Sequence, residues 1–203
     1  MQSDPELLDS ALFEYHPHFL PEREADLFLE RLWRELNWSQ REITLFGRRL
    51  MQPRLIAWYG EPGAVYSYSG LTLAPLPWHP LLQRLKTRVE ECSGSHFDSV
   101  LANAYRDGSD SMGWHSDDEK ELGPEPVIAS LSLGVPRRFL LRPRTRPAGE
   151  RGGTIALSLA HGSMLLMKGA SQQRFQHSLP RTMRPVGLRI NLTYRRVGTQ
   201  ARV

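Results

Sequence analysis

The sequence predicts an α+β domain in which two amphipathic helices support a β-sandwich, whose commonest closed form is the jelly roll. Three observations lead there. Two stretches of apolar residues at three-and-four spacing lie in the first half of the chain. Short alternating segments separated by turn residues fill the second half. No linker-like tract divides the 203 residues, a length that suits one domain with a substantial core.

The first helix is expected over Glu22–Asn37, with Pro21 at its start and Ala25, Phe28, Leu29, Leu32, Trp33 and Leu36 on the core side. The second follows Pro80, places Leu81, Leu82, Leu85, Val89 and Cys92 on one face, and ends at Gly94. Expected strands are Ser99–Tyr105, Val127–Leu133, Arg138–Leu141, Thr154–Leu159, Ser163–Met167 and Leu188–Val197. Arg106-Asp107-Gly108, residues 142–153 and His161-Gly162 carry turn and loop chemistry between them.

Hydrophobic residues make up 40% and charged residues 24%, ordinary values for a water-soluble protein. The single cysteine, Cys92, excludes an intramolecular disulfide and suits a reducing compartment. The acidic start MQSDPELLDS lacks a secretory pattern, and no apolar run approaches the roughly 20 residues that span a bilayer. A cytoplasmic monomer with no membrane association is the expectation.

The net charge of +4 conceals an asymmetry. Residues 1–40 sum to −6 and residues 41–129 to −3, whereas residues 130–203 sum to +13 with Glu150 as their one acid. Of the 26 basic residues, 23 are arginines. Arginine bias alone could reflect codon usage, but the loss of acids could not. A one-sided basic region is the expected footprint of a polyanion, and points to nucleic acid.

The candidate chemistry begins with His115 and Asp117, which share a face in an extended segment. About 0.3 such pairs are expected by chance in a chain of this composition, so the pair alone is weak. His177 is a candidate third ligand. Two imidazoles and a carboxylate can occupy three adjacent positions on a non-haem iron. Arg189, Asn191, Thr193 and Arg195 alternate with Ile190, Leu192 and Tyr194, so four polar groups share one strand face. An exposed edge strand would alternate in the same way. Turned inward, two guanidiniums would be costly without an anion, and a small chelating keto-diacid would supply one.

These residues occur with Asn103-x-Tyr105, Trp114-His115-Ser116-Asp117-Asp118-Glu119, Ile128–Gly134 and His161-Gly162-Ser163, followed by His177 and Arg189-x-Asn191-x-Thr193-x-Arg195. In this order they resemble the AlkB family of Fe(II)- and 2-oxoglutarate-dependent dioxygenases over nearly all of the chain after residue 40. The resemblance implies a double-stranded β-helix (jelly-roll) core over 98–198, with supporting N-terminal helices, a nucleotide-recognition hairpin region over 40–75 and an N-terminal extension over 1–20. It implies that His115, Asp117 and His177 bind Fe(II). Arg189 would meet the distal carboxylate of 2-oxoglutarate and Arg195 the carboxylate near the metal. Asn103 and Tyr105 would hydrogen-bond this cosubstrate, and Asn191 and Thr193, on the same strand face as the two arginines, would belong to the same 2-oxoglutarate site. His161 is given a structural role.

The implied reaction couples 2-oxoglutarate decarboxylation and O2 to methyl hydroxylation, with formaldehyde released. The implied partner is alkylated DNA, duplex or single-stranded, carrying 1-methyladenine or 3-methylcytosine. Phe46, followed by Gly47, Arg48, Arg49 and Arg54, resembles a wedge that fills the place of a flipped nucleotide while arginines meet phosphates. Tyr66, Tyr68 and Ser69 resemble a base-binding hairpin, and Asp118 and Glu119 would favour a cationic methylated base. Arg142, Arg144, Arg146 and Arg151 resemble one DNA-gripping loop, and Arg181 and Arg184 another. An RNA or tRNA demethylase or hydroxylase is the alternative, which Phe46 disfavours. A non-catalytic nucleic-acid-binding module would leave the intact ligand set without purpose. A small-molecule dioxygenase would leave the basic third unexplained.

Overall fold

In the computed structural model, two antiparallel sheets face one another and two helices cover the outside of the larger sheet. The described residues are 8–45, 48–64, 66–68, 71–145 and 153–198, with the side chains of 43–45, 48, 66–68 and 71–73 left aside. In chain order the strands are β1 (Phe13–His16), β2 (Glu42–Leu45), β3 (Arg48–Met51), β4 (Leu55–Gly60), β5 (Tyr66–Tyr68), β6 (Leu71–Leu73) and β7 (Ser99–Tyr105). They continue with β8 (Met112–His115), β9 (Ile128–Gly134), β10 (Arg137–Pro143), β11 (Ile155–Leu159), β12 (Ser163–Met167), β13 (Phe175–Leu179) and β14 (Arg189–Arg195). The helices are α1 (Glu22–Glu35), α2 (Pro80–Ser93) and the short α3 (Ser171–Arg174).

The larger sheet runs β1-β12-β9-β14-β7-β4 and the smaller β11-β10-β13-β8. β2 with β3 and β5 with β6 form two separate hairpins within residues 40–75. The six expected strands all form, with ends moved by no more than two residues, the usual uncertainty of such boundaries. β1 and β4 join the larger sheet from outside the range 98–198, so part of the expected N-terminal extension is sheet edge. No helix among the described residues is long and apolar enough to cross a membrane.

Both long helices form for the reasons visible in their sequences. Glu22 and Glu24 place negative charge in the first turn of α1, opposite the positive end of its macrodipole. Ala25, Phe28 and Leu32 turn toward the sheet. Trp33, expected in the core, is 37% exposed and packs beside Trp38 instead. Pro80 sits in the first turn of α2, where its missing N–H costs nothing, and His79 Nδ1 accepts from the Leu81 amide at 3.3 Å. Leu81, Leu82, Leu85 and Val89 are buried on the sheet as expected, while Cys92 is exposed.

The core has two layers. One lies between helices and larger sheet, where Leu82, Leu85 and Phe28 meet Ala102, Leu131, Ile190, Leu192 and Tyr194. The other lies between the sheets and includes Leu101, Ile128, Phe139, Leu141, Leu165 and Met167. β14 is central, paired with β7 on one side and β9 on the other. Its apolar face enters the helix-side layer, and Tyr194 Oη donates to the Leu82 carbonyl at 3.0 Å. Its polar face therefore points between the sheets, which rules out the edge-strand reading.

Candidate metal centre and anion pocket

Two imidazoles face each other because their strands pair. β8 lies antiparallel to β13, and His115 is the direct cross-strand partner of His177. Their ring centroids are 4.1 Å apart, and Phe139 stacks on His177 from β10 at 5.3 Å. Asp117 follows the end of β8 by two residues. Its amide donates to Gln172 Oε1 at 2.9 Å, and the Ser116 hydroxyl donates to the Phe175 carbonyl at 2.8 Å, so α3 and the start of β13 fix this corner. One ligand atom from each of His115, Asp117 and His177 fits within a mutual spacing of 4.8 Å, the only such three-residue group among the described residues.

The protonation states suit a cation. Burial pulls the His115 imidazole below its ordinary pKa, and burial with the neighbouring His115 pulls His177 down to about 3. Burial opposes ionisation of Asp117, but the Arg195 guanidinium outweighs it and holds the carboxyl below its usual range. His115 Nδ1 lies 2.9 Å from the Gly113 carbonyl, which can only accept. The proton thus sits on Nδ1, and Nε2 offers its lone pair to a metal. Asp117 Oδ1 accepts from Arg195 Nη2 at 2.6 Å, whereas Oδ2 has no hydrogen-bond partner among the described residues and lies 3.9 Å from His177 Nε2. A buried carboxylate oxygen without a donor, beside two neutral imidazoles, fits a divalent metal ion.

The anion side of the pocket is built on β14. Arg189, Asn191, Thr193 and Arg195 line the same cavity as the three candidate ligands, with Asn103 and Tyr105 of β7 and Ser130 of β9. Arg189 is wholly buried, and burial brings its pKa down to about 10. Its Nη2 donates to Ser132 Oγ at 2.9 Å, its guanidinium lies over the Tyr105 ring, and its Nε has no hydrogen-bond partner among the described residues. A buried cation with donor capacity to spare fits a carboxylate. Asn191 donates to Ser130 and the Leu131 carbonyl and accepts from Thr193. These two side chains stiffen the pocket between the arginines.

Several expected contacts differ. Arg54, expected on phosphates, is 4% exposed and its Nε donates to Asn103 Oδ1 at 2.9 Å. It cannot reach a DNA backbone from there; it orients Asn103 instead. Arg144 pairs with Asp118 and donates to the Gln172 carbonyl, so Asp118 is tied to the basic loop. Arg142 lies 4.1 Å over the Trp114 ring and donates twice to Gln176 Oε1. Arg49, Arg181 and Arg184 are exposed, and Glu119 precedes a single 3-10 turn. Phe46, Gly47, Ser69, Arg146 and Arg151 lie outside the described residues, as do the side chains of Arg48, Tyr66 and Tyr68. His161 is structural: its Nδ1 accepts from the Gly134 amide and its Nε2 lies 3.2 Å from Asp26.

Sequence reasoning missed Arg137, which is buried and bonds the carbonyls of Asp107, Asp110 and Pro180, and Gln172, which holds Asp117. Arg137 shares a strand face with Phe139 and Leu141, so the alternation of β10 carried the signal. Gln172 left none, because a four-residue helix has no readable period.

Comparison with known proteins follows the same lines. Residues 13–195 match the model of the 2OG-Fe(II) oxygenase superfamily. Human alpha-ketoglutarate-dependent dioxygenase alkB homolog 3 is 43% identical over 187 residues, covering 90% of this chain and 65% of its own length. The chain therefore spans slightly less than two thirds of that relative. Mouse DNA oxidative demethylase ALKBH2 is 40% identical over 180 residues, covering 86% of this chain and 75% of its own. The structure of OsALKBH1 superposes with a TM-score of 0.60 at 18% identity, over 91% of this chain and 97% of that one. A 2OG-Fe(II) oxygenase family oxidoreductase from Burkholderia pseudomallei also gives 0.60, at 15% identity, over 98% and 92%. These two structural likenesses bear on the fold alone.

Proposed function

Because the chain belongs to the 2OG-Fe(II) oxygenase superfamily and, within it, to the AlkB family, we propose that it demethylates N-alkylated bases in DNA oxidatively, with 1-methyladenine and 3-methylcytosine as substrates. The observation that carries the reading is one cavity lined by His115, Asp117 and His177 together with Arg189 and Arg195. The choice of base in nucleic acid rests on the relatives named as DNA oxidative demethylases and on the +13 charge of residues 130–203.

His115 Nε2, Asp117 Oδ2 and a nitrogen of His177 would hold Fe(II). Arg189 would take the distal carboxylate of 2-oxoglutarate, and Arg195, already on Asp117, the end near the metal. Bound iron, 2-oxoglutarate and O2 supply the oxidation that converts an N-methyl to a hydroxymethyl group, which leaves as formaldehyde. The protein's own part is positioning. The wall formed by Asn103, Asn191 and Thr193 fixes the cosubstrate, and Phe139 and Met167 line a partly apolar pocket that limits water. Glu119 would favour a positively charged methylated base over a neutral one, whereas the Asp118 carboxylate is already taken by Arg144.

The finer form of the reading is a monomer that accepts duplex as well as single-stranded DNA, with Phe46 as the wedge. One set of assays tests it. Protein with Fe(II), 2-oxoglutarate and ascorbate is given 1-methyladenine in single-stranded DNA, duplex DNA or RNA, and repaired base is measured. Turnover on DNA is expected, and none on any of the three would overturn the proposal. A preference for RNA would favour the alternative of an RNA demethylase. Phe46→Ala is expected to lose duplex activity while keeping single-strand activity, and equal loss on both would refute the wedge.

A further inference from the structure

Arg137, the first residue of β10, is 4% exposed, and its guanidinium bonds three backbone carbonyls rather than a carboxylate. Nη1 donates to Asp107 at 2.8 Å, and Nη2 donates to Asp110 at 2.9 Å and to Pro180 at 2.8 Å. The Asp110 carboxylate instead receives both Nε and Nη2 of Arg106. A planar fork with several donors suits this bridging in a way that an ammonium does not.

The bridged carbonyls belong to two loops. Residues 106–111 connect Tyr105, the end of β7, to β8 and so to His115. Residues 180–188 connect β13, which carries His177, to Arg189 at the start of β14. The loops also touch directly, since the Thr182 amide donates to the Gly108 carbonyl at 2.9 Å. Gly108 permits this approach: a Cβ there would lie 2.4 Å from the Thr182 carbonyl oxygen. Arg137 does not line the cavity, but Tyr105 and Arg189, which border the two bridged loops, do, and they are cross-strand partners. The clamp thus joins the loop that leaves Tyr105 to the loop that leads into Arg189.

We infer that Arg137 is a positioning residue for the far end of the cosubstrate pocket: by clamping the two loops that border Tyr105 and Arg189, it makes a preformed cationic wall that selects keto acids bearing a second carboxylate. The inference rests on the cosubstrate reading above. A residue that only stabilised the fold would affect every keto acid alike. Arg137 is expected to discriminate between those that reach the wall and those that do not.

The test is equilibrium binding by calorimetry to the Mn(II)-loaded protein, comparing 2-oxoglutarate with 2-oxobutyrate, which lacks the distal carboxylate. Arg137→Met is expected to weaken 2-oxoglutarate by about tenfold or more, the scale typical of supporting residues around a ligand site. Binding of 2-oxobutyrate should stay within about twofold, and Arg137→Lys should fall between. Gly108→Ala, which forces the loops apart without removing charge, should lower the same preference and speed hydrogen exchange at the Thr182 amide. The exposed neighbour Arg138 serves as control, with Arg138→Met unchanged. Equal weakening of both keto acids, or no weakening of either, overturns the inference. If Arg137→Met does not fold, Arg137→Lys and Gly108→Ala decide it by the same comparison. Wild-type protein that binds neither keto acid would overturn the cosubstrate reading itself, a separate result.

Discussion

Arg195 Nη2 donates to Asp117 Oδ1 at 2.6 Å, and both side chains are buried. The contact joins the last residue of β14 to the carboxylate just beyond β8, and so couples the anion side of the pocket to the metal side. It also divides the carboxylate: one oxygen belongs to the arginine, and the other faces the imidazoles. A lone carboxylate at this depth would tend to take up a proton, and the arginine keeps it ionised.

Removing the arginine should therefore be costly. Arg195→Met is expected to lower unfolding stability by about 3–5 kcal/mol, the range for breaking a buried pair and stranding one charge. Urea denaturation at neutral pH measures it. A loss of less than about 1 kcal/mol, the scale of an exposed pair, would show that the contact contributes little.

Protons should compete weakly for the metal site. His115 and His177 are held below the ordinary imidazole value, His177 at about 3, and Asp117 below the ordinary carboxylate value. All three ligands are then deprotonated at neutral pH, and their protonation, with loss of metal, is confined to acid. Mn(II) affinity is expected to be flat between about pH 6.5 and 8, where ordinary histidines would still be shedding protons. A steep rise across that window, measured by calorimetry, would contradict the assigned protonation states.

Exposed and buried arginines should separate in salt. Replacing Arg181 and Arg184 together with alanine is expected to weaken DNA binding alike for all sequences and to flatten the slope of log affinity against log salt by about 1 to 2. Arg54→Met should leave that slope unchanged and weaken 2-oxoglutarate binding instead, because Arg54 holds Asn103 rather than phosphate. Fluorescence anisotropy at several salt concentrations distinguishes them.

How much of this was legible follows from what each element depends on. β14 announced itself, because seven residues of strict alternation in polarity record a strand with two different faces. Only the packing of its apolar face under the helices showed that the polar face turns between the sheets. The union of His115 with His177 depends on the register of β8 against β13, strands of four and five residues too short to read reliably. β1 was invisible for the same reason, its four residues gaining stability only beside β12. Arg54 was misread because its neighbours suggest an exposed hairpin, whereas the chain turns inward at Pro53 and buries the side chain on Asn103. Arg137 was missed by a single residue, the expected strand beginning at Arg138.

The central claim is that His115, Asp117 and His177 support a keto-acid-coupled oxidation of a methylated base. The most direct measurement is succinate and formaldehyde quantified in one reaction on a 1-methyladenine oligonucleotide, with Asp117→Ala alongside the wild-type protein. Roughly one succinate and one formaldehyde per repaired base, both lost in a folded Asp117→Ala variant, is the predicted result. Repair that persists in the variant, or that proceeds without 2-oxoglutarate, would contradict it.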